Sequence, residues 1–382
     1  LNVQNVIAPN YPIGYARFVA ITKIPLWFHQ KKRRKKHRLW LIRVVLQYTK
    51  FLSFNVSEVI LKLGFDLMGS DSAPRSEIEA LKSLKEECKQ AVIVVGKGDY
   101  ELEVHNLGFD YRIAEEVVGM HEIPTVAVRQ KKDSSMGILF KMLKNKEIDG
   151  LISAGNTGAI MGFSFFELGP IEENSKPGLG ITLPTESGYS IMIDVGANIK
   201  PRPIDLFYYG IMGAIFARVA LEKENPRIGL LNIGSESVKG DEVRQKAYQL
   251  LKQGNINFIG NIEGNNLMKG FVDVIITDGF TGNVLLKYSE GIVDALWYML
   301  KETVDAAMRR RFGQFLVKPA MQDLKAKFSY EEYGGGILLG VNGVVIVCHG
   351  HSSAYALKNA INMAMRCVEF NIIEEIRKVI KK

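Results

Sequence analysis

The sequence predicts an α/β protein, a three-layer α/β/α sandwich around a mostly parallel sheet. Three observations predict it. Short apolar runs of strand length alternate with segments of helical period, which implies parallel strands with helices on both faces. Six of the apolar runs lead directly into a loop rich in Gly, Asn, Ser, Thr, Asp or His. The composition is globular, 47% hydrophobic and 24% charged. At 382 residues there is room for two or three domains, or for one large α/β domain.

In chain order, the strand runs are Val59–Phe65, Ala91–Val95, Gly150–Ser153, Ser190–Val195, Arg227–Ile233, Val272–Thr277 and Gly343–Cys348. They are short and nearly continuous in Val, Ile and Leu, as strands buried on both faces are. Between them, Ser76–Gln90, Ser135–Glu147, Ile204–Leu221 and Asp241–Lys252 carry the helical period.

Charge divides the chain. The net charge is +8, but twelve of the 49 Lys and Arg precede Asp66, where Glu58 is the only acid. The remainder is slightly acidic, so no nucleic-acid surface is expected of it. Residues 1–60 read as a basic N-terminal extension outside the catalytic unit of residues 61–382. Two explanations stand: a start assigned too far upstream, or an anchor for RNA or anionic lipid built on Lys31–Arg38 with Trp27, Phe28, Trp40 and Leu41.

Cys88, Cys348 and Cys367 show neither metal-ligand spacing nor a disulfide framework, so a reduced protein without a metal is expected. Leu39–Leu46 is broken by Arg43, and Gly334–Leu357 is punctuated by Gly334, Gly335, Gly336, Gly340, Asn342 and Gly343. Neither reads as a membrane span, and a cytoplasmic location is the expectation.

In a parallel sheet, ligands bind beyond the carboxyl ends of the strands. The six loops are Asp66–Asp71, Ser153–Gly158, Asp194–Asn198, Asn232–Ser235, Thr277–Asn283 and Cys348–Ser353. Glycine lets backbone amides approach a ligand. Two of the loops open into helices at Thr157 and Thr281, and helix N-termini favour a phosphate-sized anion. Gathered on one edge of the sheet, the six would form a polar, anion-binding cleft. There is no P-loop, no complete Gly-x-Gly-x-x-Gly and no Gly-x-Ser-x-Gly elbow. Cys348 and His349 are adjacent, point to opposite sides of an extended segment and are not expected to pair.

The loops together resemble the bacterial acyl-carrier-protein:phosphate acyltransferases of phospholipid synthesis. The matching stretches are residues 66–74, 153–159, 182–185, 194–198, 229–234, 258–264, 278–283 and 332–335. They run in family order from about Leu61. Departures are Leu67, Ser70 and Ser72 in the first loop, Lys176 in place of Arg, the run Lys200–Pro203, and His351 in place of Ser. The resemblance implies an isocitrate/isopropylmalate dehydrogenase-like fold and a homodimer without a cofactor. It implies the reaction of acyl-carrier protein with inorganic phosphate to give acyl phosphate, consumed by a membrane glycerol-phosphate acyltransferase.

Phosphate is the nucleophile in that reaction, so the task is mainly positioning. Phosphate is assigned to Ser153, Gly155, Asn156 and Thr157, with Gly234, Gly279, Thr281, Gly282 and Asn283 opposite and Lys176 neutralising charge. Asn198 or Asn232 would donate to the developing oxyanion. Asp278 would orient the nucleophile or take its proton, and His349 would protonate the leaving thiolate. Simpler roles stand beside these: Asp278 as a helix cap, His349 as a loop hydrogen-bonder. Segment 284–328 reads as a helical hairpin for dimer or membrane contact, with Arg309, Arg310 and Arg311 attracting the acidic carrier protein. The rivals are a phosphate acetyltransferase-like enzyme using short-chain acyl-coenzyme A, a metal- and nicotinamide-dependent dehydrogenase of the same fold, and a nucleic-acid or membrane-surface module.

Overall fold

The computed structural model describes residues 61–84, 91–173, 175–305 and 330–380. The basic run Lys31–Arg38, and Arg309, Arg310 and Arg311, lie outside the described residues.

The chain runs β1 (Leu63–Asp66), α1 (Arg75–Lys82), β2 (Val92–Gly96), α2 (Glu101–Asn106), β3 (Asp110–Ile113), α3 (Pro124–Gln130), α4 (Ser135–Lys144), β4 (Gly150–Ser153) and α5 (Thr157–Phe163). It continues β5 (Gly178–Thr185), β6 (Gly188–Ile193), α6 (Pro203–Leu221), β7 (Ile228–Leu231), α7 (Glu242–Gln253), β8 (Phe258–Ile262), β9 (Val274–Ile276) and α8 (Gly279–Asp305). It closes with β10 (Gly336–Leu339), β11 (Val344–Val347), α9 (Ala354–Glu369) and α10 (Ile372–Ile380). Local chemistry starts several helices. The side chains of Ser134, Asn156, Asp241 and Ser353 cap α4, α5, α7 and α9.

Each of the seven expected strands overlaps an observed one. The four that sequence reading missed have weak signatures. β3 is exposed, β5 contains two glycines and a proline, β8 carries a mid-strand Gly, and β10 emerges from Gly334–Gly336.

Those missed strands reorganise the sheet. Its order is β3-β2-β1-β4-β11-β10-β5-β6-β9-β7-β8. Pairing is parallel except at β11–β10, β10–β5 and β5–β6. Three reversals are an odd number, so β6, β9, β7 and β8 run opposite to β3, β2, β1, β4 and β11. The six polar loops therefore do not share one edge, as expected from a simple parallel sheet. Those after β1, β4 and β11 leave one edge, and those after β6, β7 and β9 leave the other.

Register keeps the two groups close. A single cross-strand row passes through Phe65, Ile152, Ile346, Ile337, Gly180, Ile193, Ile276 and Leu230. In β1, β4, β11, β6, β9 and β7 that row lies at or next to the last strand residue. Both sets of loops leave from about the same level, in opposite directions.

Helices cover both faces. Ile152, Ile193, Ile276 and Ile346 pack with α1, α6, α7, α9 and α10. Leu151, Val345 and Val347 turn the other way onto α3, α4 and α5. On that second face, Met192, Leu231 and Ile275 meet Leu285 and Leu286 of α8. Among the described residues, α6 is the one helix long and apolar enough to cross a membrane, but 67% of its most apolar window is buried within the fold.

Candidate active site

The first loop group is built on a buried carboxyl. Asp66, at the end of β1, accepts the Ser153 hydroxyl at 2.7 Å and the Met68 amide at 3.1 Å. Ser153 Oγ in turn accepts the Gly155 amide at 3.1 Å. Burial pushes the Asp66 carboxyl above the usual carboxylate range. Gly69 is required by this contact, because a Cβ there would stand 2.9 Å from the amide nitrogens of Ala154 and Gly155. Asn156 caps α5 through the Ala159 amide and donates to the carbonyls of Gly119, Met120 and Glu122. Ser153 and Asn156 are thus engaged in holding the loop, whereas Thr157 is exposed at the first turn of α5.

The second group is built on Asp194, after β6. Its carboxylate is fully buried and accepts the amides of Leu179, Gly196, Ala197 and Asn198 at 2.6–3.0 Å. Burial pushes this carboxyl up, and the four amide donors pull against it. The loop closed in this way carries Asn198. Asn198 Nδ2 donates to Tyr209 Oη at 3.1 Å, and its Oδ1 lies 3.5 Å from Lys176 Nζ. Lys176 also donates to the Lys200 carbonyl at 3.2 Å.

The N-terminus of α8 rests directly on this loop. The Gly279 amide donates to the Asn198 carbonyl at 2.9 Å. A Cβ on Gly282 would fall 1.9 Å from the Asp194 carbonyl oxygen. Asn283 Oδ1 lies 3.8 Å from where a Gly196 Cβ would stand. The structure thus brings Lys176, Asn198, Gly279, Thr281, Gly282 and Asn283 to one place.

Asp278 is engaged as the cap of α8. It accepts the Thr281 amide at 2.9 Å and the Thr281 hydroxyl at 2.7 Å, and it pairs with Arg244 of α7. Asn232 fastens its own loop, donating to the Lys239 carbonyl at 3.0 Å and accepting the Ile233 amide at 2.8 Å. Gly234 is buried in that loop. His349, on the first edge, lies 3.0 Å from Lys287 of α8. Burial, followed by the Lys287 cation, holds its pKa below the ordinary 6.5. Cys348 is buried, its thiol pushed up by desolvation, and donates to the Gly334 carbonyl.

Asp66, Asp194, Arg244 and Lys287 were not among the expected site residues. The first two were visible as acids at strand ends. Arg244 and Lys287 sit inside ordinary amphipathic helices, and only the fold carries them to the loops.

Residues 61–375 match the family described as fatty acid synthesis protein. A phosphate acyltransferase from Pelotomaculum thermopropionicum is 41% identical over 326 residues, covering 84% of this chain and 95% of that protein. The chain belongs to the phosphate acyltransferase family. The phosphate acyltransferase of Desulfitobacterium hafniense is similar at 42% over 325 residues, covering 83% of this chain and 97% of its own. A solved branched-chain phosphotransacylase from Enterococcus faecalis shares 13% identity, with a TM-score of 0.49 over 80% of this chain and 99% of its own. Among the described residues no cluster of His, Cys, Asp and Glu has the makings of a metal site.

Proposed function

We propose that this acyltransferase moves a fatty acyl group from acyl-carrier protein to inorganic phosphate, forming acyl phosphate for phosphatidic acid and phospholipid synthesis. Residues 61–382 form the catalytic unit. The observation that carries the site assignment is the docking of the α8 N-terminus on the Asp194–Asn198 loop beside Lys176. Helix N-termini stabilise anions through their amides and dipole. Lys176 neutralises phosphate charge there and Asn283 orients it against the thioester carbonyl, while Thr281, whose amide and hydroxyl both donate to Asp278, holds the first turn of α8 in place.

Asn198 is preferred over Asn232 as the oxyanion donor, because Asn198 stands beside Lys176 and the α8 N-terminus whereas Asn232 is buried in its own loop. One of the two amide hydrogens of Asn198 goes to Tyr209, which leaves the second to donate. Such a donor is worth about 3 kcal/mol of barrier. Asp278 acts by fixing the first turn of α8, and His349 gives a proton to the leaving thiolate. The first loop group, Asp66–Asp71 with Ser153–Thr157, forms the opposing wall.

α8 also supports a peripheral role. Tyr288, Ile292, Leu296 and Met299 are exposed along it, a stripe at helical spacing. In this reading the stripe contacts a partner subunit or a membrane surface, and the enzyme works in the cytoplasm next to the downstream glycerol-phosphate acyltransferase. Arg309, Arg310 and Arg311 attract the acidic carrier protein.

The test is phosphate-dependent acyl phosphate formation, trapped with hydroxylamine, from long-chain acyl-carrier protein and from short-chain acyl-coenzyme A. Turnover of the carrier substrate supports the proposal. Turnover of short-chain acyl-coenzyme A alone would replace it with a phosphate acetyltransferase-like activity.

A further inference from the structure

One buried hydroxyl joins the two segments that carry Lys176 and Asn198. Tyr209, on α6, is fully buried, and its Oη donates to the Pro177 carbonyl at 3.1 Å. The same oxygen accepts from Asn198 Nδ2 at 3.1 Å. Pro177 follows Lys176 in sequence, and Lys176 Nζ reaches back to Asn198 Oδ1 at 3.5 Å. Lys176, Asn198 and Tyr209 thus close a ring of contacts through the Pro177 backbone. The packing there is tight: a Cβ on Gly178 would stand 2.9 Å from Tyr209 Cε1. Asp194 fixes the neighbouring backbone of both segments, taking the amides of Leu179 and Asn198.

Donor and acceptor counts decide how the Asn198 amide is turned. A phenol has one hydrogen to donate and lone pairs with which to accept. A backbone carbonyl can only accept, so the Tyr209 hydrogen goes to Pro177 and the oxygen presents a lone pair to Asn198. Only the NH2 end of the amide can use it. The other end, Oδ1, then faces Lys176 Nζ, which donates. Turned the other way, the amide would set its NH2 against Lys176, and Tyr209 could satisfy Oδ1 only by abandoning the Pro177 carbonyl. Burial, followed by the charge of Asp194, pushes the Tyr209 pKa above its ordinary value, so the hydroxyl keeps its hydrogen.

We infer that Tyr209 is a positioning residue of the acyl transfer, locking the Asn198 side-chain amide with its second hydrogen available to the thioester oxygen. The inference rests on the acyl-transfer reading above. In that reaction an oxygen of hydrogen phosphate bonds to the thioester carbonyl carbon, and negative charge grows on the carbonyl oxygen. A donor already aimed there acts without reorganisation. The carbon–sulfur bond then breaks, the carbonyl re-forms, and the proton of hydrogen phosphate ends on the departing sulfur. Tyr209 takes no part in that proton's path; it acts through Asn198. Without the hydroxyl the amide is free to turn, and turned it would present an acceptor oxygen to an oxyanion. The same hydroxyl holds the Pro177 carbonyl, so Lys176 keeps its place beside Asn198.

The experiment measures kcat and KM for phosphate and acyl-carrier protein thioester in wild type, Tyr209→Phe, Asn198→Ala, the double variant and Tyr208→Phe. Rates are taken per folded molecule, with urea unfolding as the check on folding. Tyr209→Phe lowers kcat by about 10-fold or more and leaves both KM values nearly unchanged, because the aimed donor acts only in the transition state. Asn198→Ala lowers kcat by about 100-fold. Adding Tyr209→Phe to it lowers kcat little further, since a residue acting through another is not additive with it. Tyr208, next along α6 with its ring beside Phe207, is the control, and its Phe variant keeps the wild-type rate. Losses that multiply in the double variant, full activity of Tyr209→Phe, or a change in KM alone would each overturn the inference. A readout that needs no Tyr209 variant is the nuclear Overhauser contact between the Asn198 side-chain amide hydrogens and the Tyr209 ring in wild-type enzyme. Its presence supports the stated orientation, and its absence would overturn it. A wild-type enzyme that forms no acyl phosphate would instead overturn the acyl-transfer reading, while the Overhauser contact still decides how the amide is turned.

Discussion

Two glycines of α8 should respond to the same substitution in opposite directions. A Cβ at Gly282 would sit 1.9 Å from the Asp194 carbonyl oxygen and 2.9 Å from Thr277 Cγ2. A carbon needs about 3.3 Å from a carbonyl oxygen, so the first turn of α8 must retreat by about 1.4 Å. The obstacle is backbone held by its own hydrogen bonds, so it cannot swing aside. Overpacking of this kind costs about 1–3 kcal/mol, offset by about 1 kcal/mol of helix propensity gained over glycine. A displacement of about 1 Å at a positioning element costs about 100-fold in rate. At Gly291, nine residues along the same helix, nothing lies within 4 Å of the added carbon. There Gly291→Ala should stabilise by about 1 kcal/mol and leave turnover unchanged. Urea unfolding and acyl phosphate formation on both variants provide the comparison. If Gly282→Ala is as stable and as active as Gly291→Ala, α8 does not rest on the Asp194 loop and the site geometry is wrong.

Other expectations concern individual side chains. Ser153→Ala removes a hydroxyl donor from the buried Asp66 carboxyl and should lower stability by about 1–2 kcal/mol in urea titration. Lys176→Ala and Asn283→Ala should reduce turnover by about 10-fold or more without moving the urea midpoint, because electrostatic stabilisation of developing charge is lost. His349 has a folded pKa below 6.5, so the unfolded chain binds its proton first on acidification. Stability should therefore fall as pH drops below 6.5 toward the folded value, and His349→Asn should flatten that slope in pH-dependent unfolding.

Much of the scaffold was legible because the signals are local. Ala91–Val95 and Gly343–Cys348 are apolar without alternation, which only a strand covered on both faces satisfies. Asn156 and Asp241 marked their helix starts by residue type, whereas the helix after Ser353 went unread. The loop motifs were equally readable, since a glycine at 279 or 282 and a capping Asp278 are contiguous in sequence. The roles within those loops were less so. Asp278 and Asn232 carry groups suited to catalysis, but Arg244 and the Ile233 and Lys239 backbone engage them structurally. No periodicity reveals such partners.

The amino-acid order alone determined the strand runs, the capped helices, the Gly-rich loops and, through them, the family. These depend on residues two to four positions apart, where side-chain direction and backbone propensity act without reference to the remainder of the chain. Only tertiary structure decided how the loops face one another. Strands β5 and β10 have weak local signatures, yet they introduce the three reversals that turn one half of the sheet against the other. Ser153 meets Asp66 across 87 positions, and Lys287 meets His349 across 62. Contacts at that separation form because packing of the whole core aligns the strands that carry them, a cooperative condition that no short window of sequence contains.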